Sequence, residues 1–167
     1  MVLFENKKNI TTTRVIMKRL IFISCLVFLT TTAFSQKTRM IDLCDGQYGN
    51  FRVRAIVKMF DYGLDTLVVV LGKNNRYSYI VDHMYLYYGS TDEVFEFFRY
   101  CRKFLSKEDK GTMETINKTT IVVQKTLGVR TLHIYPPNEG GGFTELHMKS
   151  IDKIVSCLSA WKAKSMQ

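Results

Sequence analysis

The stretch STDEVFEFFRYCRKFL, Ser90–Leu105, has the pattern of an α-helix and divides the strand-like segments of this chain into two groups. Ser90 followed three residues later by Glu93 is the capping-box pattern that opens an α-helix. Apolar side chains then recur at the three- and four-residue intervals that place them on one helix face: Val94, Phe97, Phe98, Cys101, Phe104 and Leu105. The sequence therefore predicts an amphipathic helix in the middle of the chain, ending at about residue 105.

Segments on both sides of this helix have the alternation and β-branched content of strands. Three precede it and three follow it: 51–62, 64–71, 76–88, 119–126, 129–135 and 143–148. A second amphipathic helix is predicted from Ser150. Because short hairpin links favour antiparallel pairing, we expect an α+β fold in the order β-β-β-α-β-β-β-α, with an antiparallel sheet and both helices packed on one face.

The amino end has the three-part layout of a secretory signal peptide. In MKRLIFISCLVFLTTTAFSQ, Met17–Gln36, two basic residues precede an apolar run from Leu20 to Leu29, and small residues follow. This run is too short for a permanent membrane span, which needs about 20 residues. We therefore assign 1–16 as an upstream extension, 17–35 as the signal peptide, 36–50 as a polar lead-in and 51–167 as one domain.

The Ser35-Gln36 ending resembles the signal peptides of Bacteroidota. An alternative is a lipoprotein signal acylated at Cys25, although Phe22 and the continuing apolar run fit that motif poorly. Either interpretation places the chain outside the cytoplasm, in the periplasm, at the cell surface or in the medium.

Charge limits the classes of partner that this chain can bind, and cysteine content limits the disulfides and metal sites that it can form. Residues 36–167 carry 19 basic and 14 acidic side chains, a net +5, which would help binding to anionic glycans or lipid headgroups. The simpler interpretation is a solvated basic surface, and export argues against nucleic acid. Export also permits one disulfide among Cys44, Cys101 and Cys157, which leaves one thiol over and matches no metal motif.

The hairpin VRTLHIYPPNEGGGFTELHM, Val129–Met148, contains two of the three histidines. A symmetric register across its loop puts His133 opposite Glu145 and Thr131 opposite His147, with both histidines on the face away from the core. Two imidazoles and a carboxylate can hold zinc or iron. The alternative is a polar cross-strand pair on the wet face of the sheet.

Two further groups are candidate ligand contacts. The loop residues Asn138, Glu139, Gly140, Gly141 and Gly142 allow close approach of a ligand to the backbone. Tyr77 and Tyr79 share strand parity with Tyr85 and Tyr87, and such aromatic ladders stack on sugars or partner proteins. The alternative is that this tyrosine face packs under the helices.

The sequence contains no serine-hydrolase or zinc-protease motif and assigns no cofactor or catalytic residue. It favours a small exported, non-enzymatic domain that binds a partner protein or glycan. The alternative is a metal-dependent hydrolase built on His133, Glu145 and His147.

Overall fold

The computed structural model describes residues 37–46, 50–60, 63–76, 82–137 and 140–165. The predicted upstream extension 1–16 and signal peptide 17–35 lie outside them. Thr38–Gln167 is one compact unit. Its elements are β1 Lys37–Asp45, β2 Phe51–Phe60, β3 Gly63–Lys73, β4 His83–Gly89, α1 Thr91–Lys107, β5 Met113–Ile116, β6 Thr119–Thr126, β7 Val129–Tyr135, β8 Thr144–His147 and α2 Met148–Ser165.

The α+β prediction is confirmed. The strands form two four-stranded sheets, ordered β1-β2-β3-β4 and β5-β6-β7-β8, where one sheet was expected. Each run of strands is one strand longer than the sequence predicts. The additions are β1 and the four-residue β5.

Strand β1 lies within the predicted polar lead-in 36–50, for which the sequence analysis predicted no strand. Its side chains are mostly exposed. Its sequence lacks the apolar alternation by which a strand is recognised, and this is why the strand was not predicted. It is held beside β2 by ion pairs from Arg52 to Asp45 and from Arg54 to Asp42. A disulfide from Cys44 to Cys157 joins it to α2.

Helix α1 begins where the capping box predicts. The Ser90 side chain accepts from the Glu93 amide, and the Glu93 carboxylate accepts from the Ser90 amide at 2.8 Å. The six predicted core residues of α1 are all buried. Helix α2 begins at Met148, directly after β8 and two residues before the predicted Ser150.

One hydrophobic core holds the sheets and helices together. Both helices contact each other and both sheets. The largest fully buried side chains come from both sheets and both helices: Phe51, Met84, Leu86, Phe98, Leu105, Ile121, Leu132, Ile134, Leu146, Ile151, Ile154 and Leu158. Because residues of both sheets contribute to this one core, the core holds the two sheets together.

The two sheets meet where β3 passes β8. Thr144 Oγ1 donates to the Lys73 carbonyl at 2.7 Å, and the Asn75 amide donates to the Phe143 carbonyl at 2.8 Å. Gly72 is buried at this junction, and a Cβ there would lie 2.5 Å from Thr144 Oγ1. The sequence predicts that this strand ends at residue 71, but Gly72 lies within β3, where the close approach of Thr144 requires glycine.

Candidate binding cleft at strand β4

A β-bulge in β4 separates its tyrosines. Val70 pairs with Tyr87 and Leu71 pairs with Tyr85, so the pairing register shifts by one residue between them. A bulge reverses the alternation of side chains beyond it. Tyr85 and Tyr88 are therefore exposed, at 56% and 66% of their surface, whereas Tyr87 is only partly buried and packs on the core.

The exposed tyrosines border a cleft of about 490 Å³. Its facing wall is the β5–β6 turn with the first residues after β7: Asn117, Lys118, Thr119, Pro136 and Pro137. The turn has positive φ at both central residues, 47° at Asn117 and 69° at Lys118, as a type I′ turn requires. The volume falls within the range of small-molecule sites in proteins.

Tyr87 fixes the separation of the two walls. Its ring stacks on Phe97 of α1, with centroids 3.9 Å apart and planes 6° from parallel. Its hydroxyl accepts from Asn117 Nδ2 at 2.8 Å. Since both ends of Tyr87 are engaged, it is a positioning residue, and Tyr85 and Tyr88 present the exposed rings.

The carboxylate of Glu93 lines the same cleft but is already engaged. It accepts from the Ser90 amide and hydroxyl, both at 2.8 Å. These hydrogen bonds, the backbone one above all, lower the pKa of Glu93. It is therefore held as an ionised helix cap, which does not suit a general acid.

A larger groove of about 1240 Å³ lies beside α1 and shares Tyr87, Glu93 and Asn117 with the cleft. In it Tyr100 donates a hydrogen bond to Glu114. This bond, with smaller contributions from burial and neighbouring charge, raises the pKa of Tyr100 to about 12. Tyr100 therefore stays protonated at neutral pH and ties α1 to β5.

The predicted register of the histidine hairpin is confirmed. His133 lies opposite Glu145, and Thr131 lies opposite His147. The His133 ring stacks on Phe143, with centroids 4.7 Å apart. Partial burial lowers the pKa of His133 from 6.5, partly offset by Glu145. A lowered histidine pKa means that the unfolded chain binds the proton more tightly, so this residue reduces stability as the pH falls below about 6.5.

The candidate metal ligands do not form a cluster. Among the described residues, no three His, Cys, Asp or Glu side chains converge as a metal ion would require. His133 Nε2 is buried with no hydrogen-bond partner in that part of the chain. Glu145 and His147, however, line a small polar cavity of about 130 Å³ together with Lys73. The positive charge of Lys73 opposes the binding of a metal cation in this cavity.

We expect Zn²⁺, Fe²⁺, Ni²⁺ and Mn²⁺ to give the same thermal shifts in the parent protein and in a His133→Ala/His147→Ala variant. The reason is that Lys73 lines the same small cavity as Glu145 and His147, and its ammonium group repels a metal cation there. A specific site at 100 times its Kd would stabilise the parent alone by about 2.7 kcal/mol. A shift of that size that disappears in the variant would establish the metal site.

The glycines of the predicted ligand loop close it onto the β3–β4 turn. The Gly140 carbonyl accepts from the Arg76 guanidinium. Gly142 lies so close to Asn74 that a Cβ would be 2.8 Å from Asn74 Oδ1. Gly140 and Gly141 have φ of 56° and 81°, which favours glycine. These contacts support a structural role, and ligand binding by Gly140, Gly141 and Gly142 stays a prediction.

Four of the candidate ligand contacts lie outside the described residues. These are Asn138, Glu139, Tyr77 and Tyr79. Sequence reasoning placed Tyr85 on the same face as Tyr87, because strand parity alone does not show the bulge between them. It also missed the facing wall of the cleft. The sequence signal for this wall was the pair Asn117-Lys118, which lies between two segments rich in β-branched residues.

No protein-family model matches this chain, and none of the curated proteins matches it. None of the helices in the described part of the chain is long and apolar enough to cross a membrane.

Proposed function

We propose that this chain is an exported, non-enzymatic domain that binds a partner protein in the periplasm or at the cell surface. The partner would supply an extended segment that lies along the outer edge of β4. The observation that carries this proposal is the position of β4 at the end of its sheet, directly beside the tyrosine-lined cleft.

An edge strand offers its outer backbone groups to another chain. Many recognition domains use this by adding a peptide as a further strand, with pockets for alternate side chains. Here the cleft along β4 would receive those side chains. Tyr85 and Tyr88 supply large rings with few rotatable bonds, which is why tyrosine is enriched at protein interfaces.

The alternative ligand of the cleft is a glycan. It would stack on the same tyrosine rings but would not pair with the backbone of β4. The protein partner is favoured because four consecutive residues of the edge strand β4, Tyr85–Tyr88, line the cleft. The engaged state of Glu93 supports binding over acid–base catalysis at this site.

Photo-cross-linking in the producing cells would test the proposal. A photoreactive residue is placed at Tyr88, and at Lys153 on the exposed side of α2 as the control. We expect a protein adduct from position 88 and none from position 153. In the purified complex, amide exchange in β4 should be slowed, because strand addition engages its backbone groups.

The purified partner then allows a matched comparison of affinities. We expect Tyr85→Ala/Tyr88→Ala to weaken binding at least tenfold, as loss of interface aromatic residues commonly does. Met59→Ala removes an exposed apolar side chain of β2 outside the cleft and should leave the affinity unchanged. Equal adducts from both positions, or equal affinities, would contradict the proposal. Loss of binding on a glycan array in the Tyr85/Tyr88 variant would assign the cleft to a glycan instead.

A further inference from the structure

The turn between β6 and β7 has an unusual composition. Leu127 and Gly128 have φ of 50° and 84°, the two positive values of a type I′ turn. The first position of this turn favours Asn, Asp or Gly, because other residues are strained there. Leu127 is nevertheless 99% exposed. It therefore combines backbone strain with full exposure of an apolar side chain.

The strand pair directly behind this turn is also unfavourable for the fold. Lys125 and Arg130 lie opposite each other across β6 and β7, and both are exposed. Like charges in directly opposite positions destabilise a sheet. In the described part of the chain neither forms an ion pair with an acidic side chain.

We propose that this hairpin tip binds an anionic lipid surface. Leu127 would enter the boundary between headgroups and acyl chains, and Lys125 and Arg130 would contact lipid phosphates. Val129, which is 53% exposed, would widen the apolar contact. Both features that are costly in water become favourable at such a surface, since apolar area is buried and each cation meets negative charge.

The shape of the tip favours a lipid surface over an acidic protein. The apolar residue is at the apex of a turn. The cations lie two positions before Leu127 on β6 and two positions after Gly128 on β7. A bilayer accepts such a protrusion, with the apolar apex deepest and the cations at headgroup level. Strong protein interfaces instead place the anchor residue in a well-packed pocket of the partner.

The tip and the β4 cleft are at opposite ends of β6. The cleft includes Thr119, and the tip follows Thr126, eight residues along the strand, or roughly 25 Å. A protein anchored by the tip would thus hold the cleft away from the bilayer. The lipid contact does not depend on the proposed function of the cleft.

Vesicle co-sedimentation would test this inference. The full chain is produced with its leader and purified after export. We expect it to bind vesicles that contain about one third phosphatidylglycerol, to bind phosphatidylcholine vesicles poorly, and to dissociate as salt is added. Leu127→Asn suits the turn better, so it should raise the melting temperature while it lowers vesicle partitioning at least fivefold.

Neutralising the cations gives a second test. Lys125→Gln/Arg130→Gln should weaken binding to the anionic vesicles roughly 25-fold, about fivefold for each cation. It should also stabilise the fold by removing like-charge repulsion. Lys153→Gln/Lys164→Gln removes the same charge from α2 and should change binding less than twofold, because those residues lie outside the tip.

Absence of binding to anionic vesicles at low salt overturns the proposal, and so does equal binding to phosphatidylcholine alone. Unchanged binding in both tip variants overturns it as well. If the tip variants instead lose an acidic protein with vesicle binding intact, the surface belongs to that protein. Tyr85→Ala/Tyr88→Ala should bind vesicles like the parent, so failure of one proposal does not obscure the other.

Discussion

Replacing Cys44 and Cys157 with alanine is expected to lower the free energy of unfolding by about 3–5 kcal/mol. The disulfide joins residues 113 positions apart. A cross-link across so long a segment removes much of the conformational freedom of the unfolded chain. Denaturant unfolding of the parent and the double variant would measure the difference.

The loss should begin at β1. This edge strand is mostly exposed, and its ion pairs with Arg52 and Arg54 are exposed pairs of the kind that contribute at most about 1 kcal/mol. Without the disulfide, we expect β1 amides to exchange with solvent well before those of β2 and β3. The rest of the sheet should keep its protection, because its core contacts are unchanged.

Cys101 provides the control. It is a buried free cysteine whose pKa is raised by burial, so it stays a thiol and does not react in the native state. Cys101→Ala should retain the response to dithiothreitol, which the Cys44→Ala/Cys157→Ala variant should lack. A parent protein whose stability is unaffected by complete reduction would refute the predicted contribution of the disulfide.

The helices and central strands could be predicted from sequence because their signals are local. Ser90 and Glu93 are three residues apart, and the apolar stripe of α1 repeats within one element. The register of β7 and β8 followed from symmetric pairing across the loop that joins them, and it is confirmed. These features depend on periodicity, which a single sequence contains.

The features that were missed depend on distant parts of the chain. Strand β1 exists because β2 and the disulfide hold it, and sequence alone does not tell which cysteines pair. The cleft needs β4 and the β5–β6 turn, which are separated by α1. The bulge that turns Tyr85 and Tyr88 outward arises from the pairing of β4 with β3. Local patterns contain none of this information.

Gly72 is the residue at which the distance between the two sheets should be most sensitive to substitution. A Cβ there would lie 2.5 and 2.7 Å from Thr144 Oγ1 and Cγ2, and 2.7 Å from Leu86 Cδ1. We expect Gly72→Ala to destabilise the fold by about 1–3 kcal/mol and Gly72→Val by more, since overpacking forces buried groups apart. Equilibrium unfolding in denaturant would measure both.

A double-mutant cycle with Thr144→Ala identifies the cause. Thr144→Ala removes the two Thr144 atoms that would lie too close to a Cβ at residue 72. It also removes the hydrogen bond to the Lys73 carbonyl. If the Thr144 contact limits the space at residue 72, the combined variant should be more stable than the sum of the single effects by about 1 kcal/mol or more. Strict additivity would instead assign the cost to Leu86 or to the β3 backbone. Because Gly72 pairs with Met84 of β4, relief of the clash should also restore the position of the strand that carries Tyr85. The partner binding that we propose at the cleft should therefore be stronger in the combined variant than in Gly72→Ala alone.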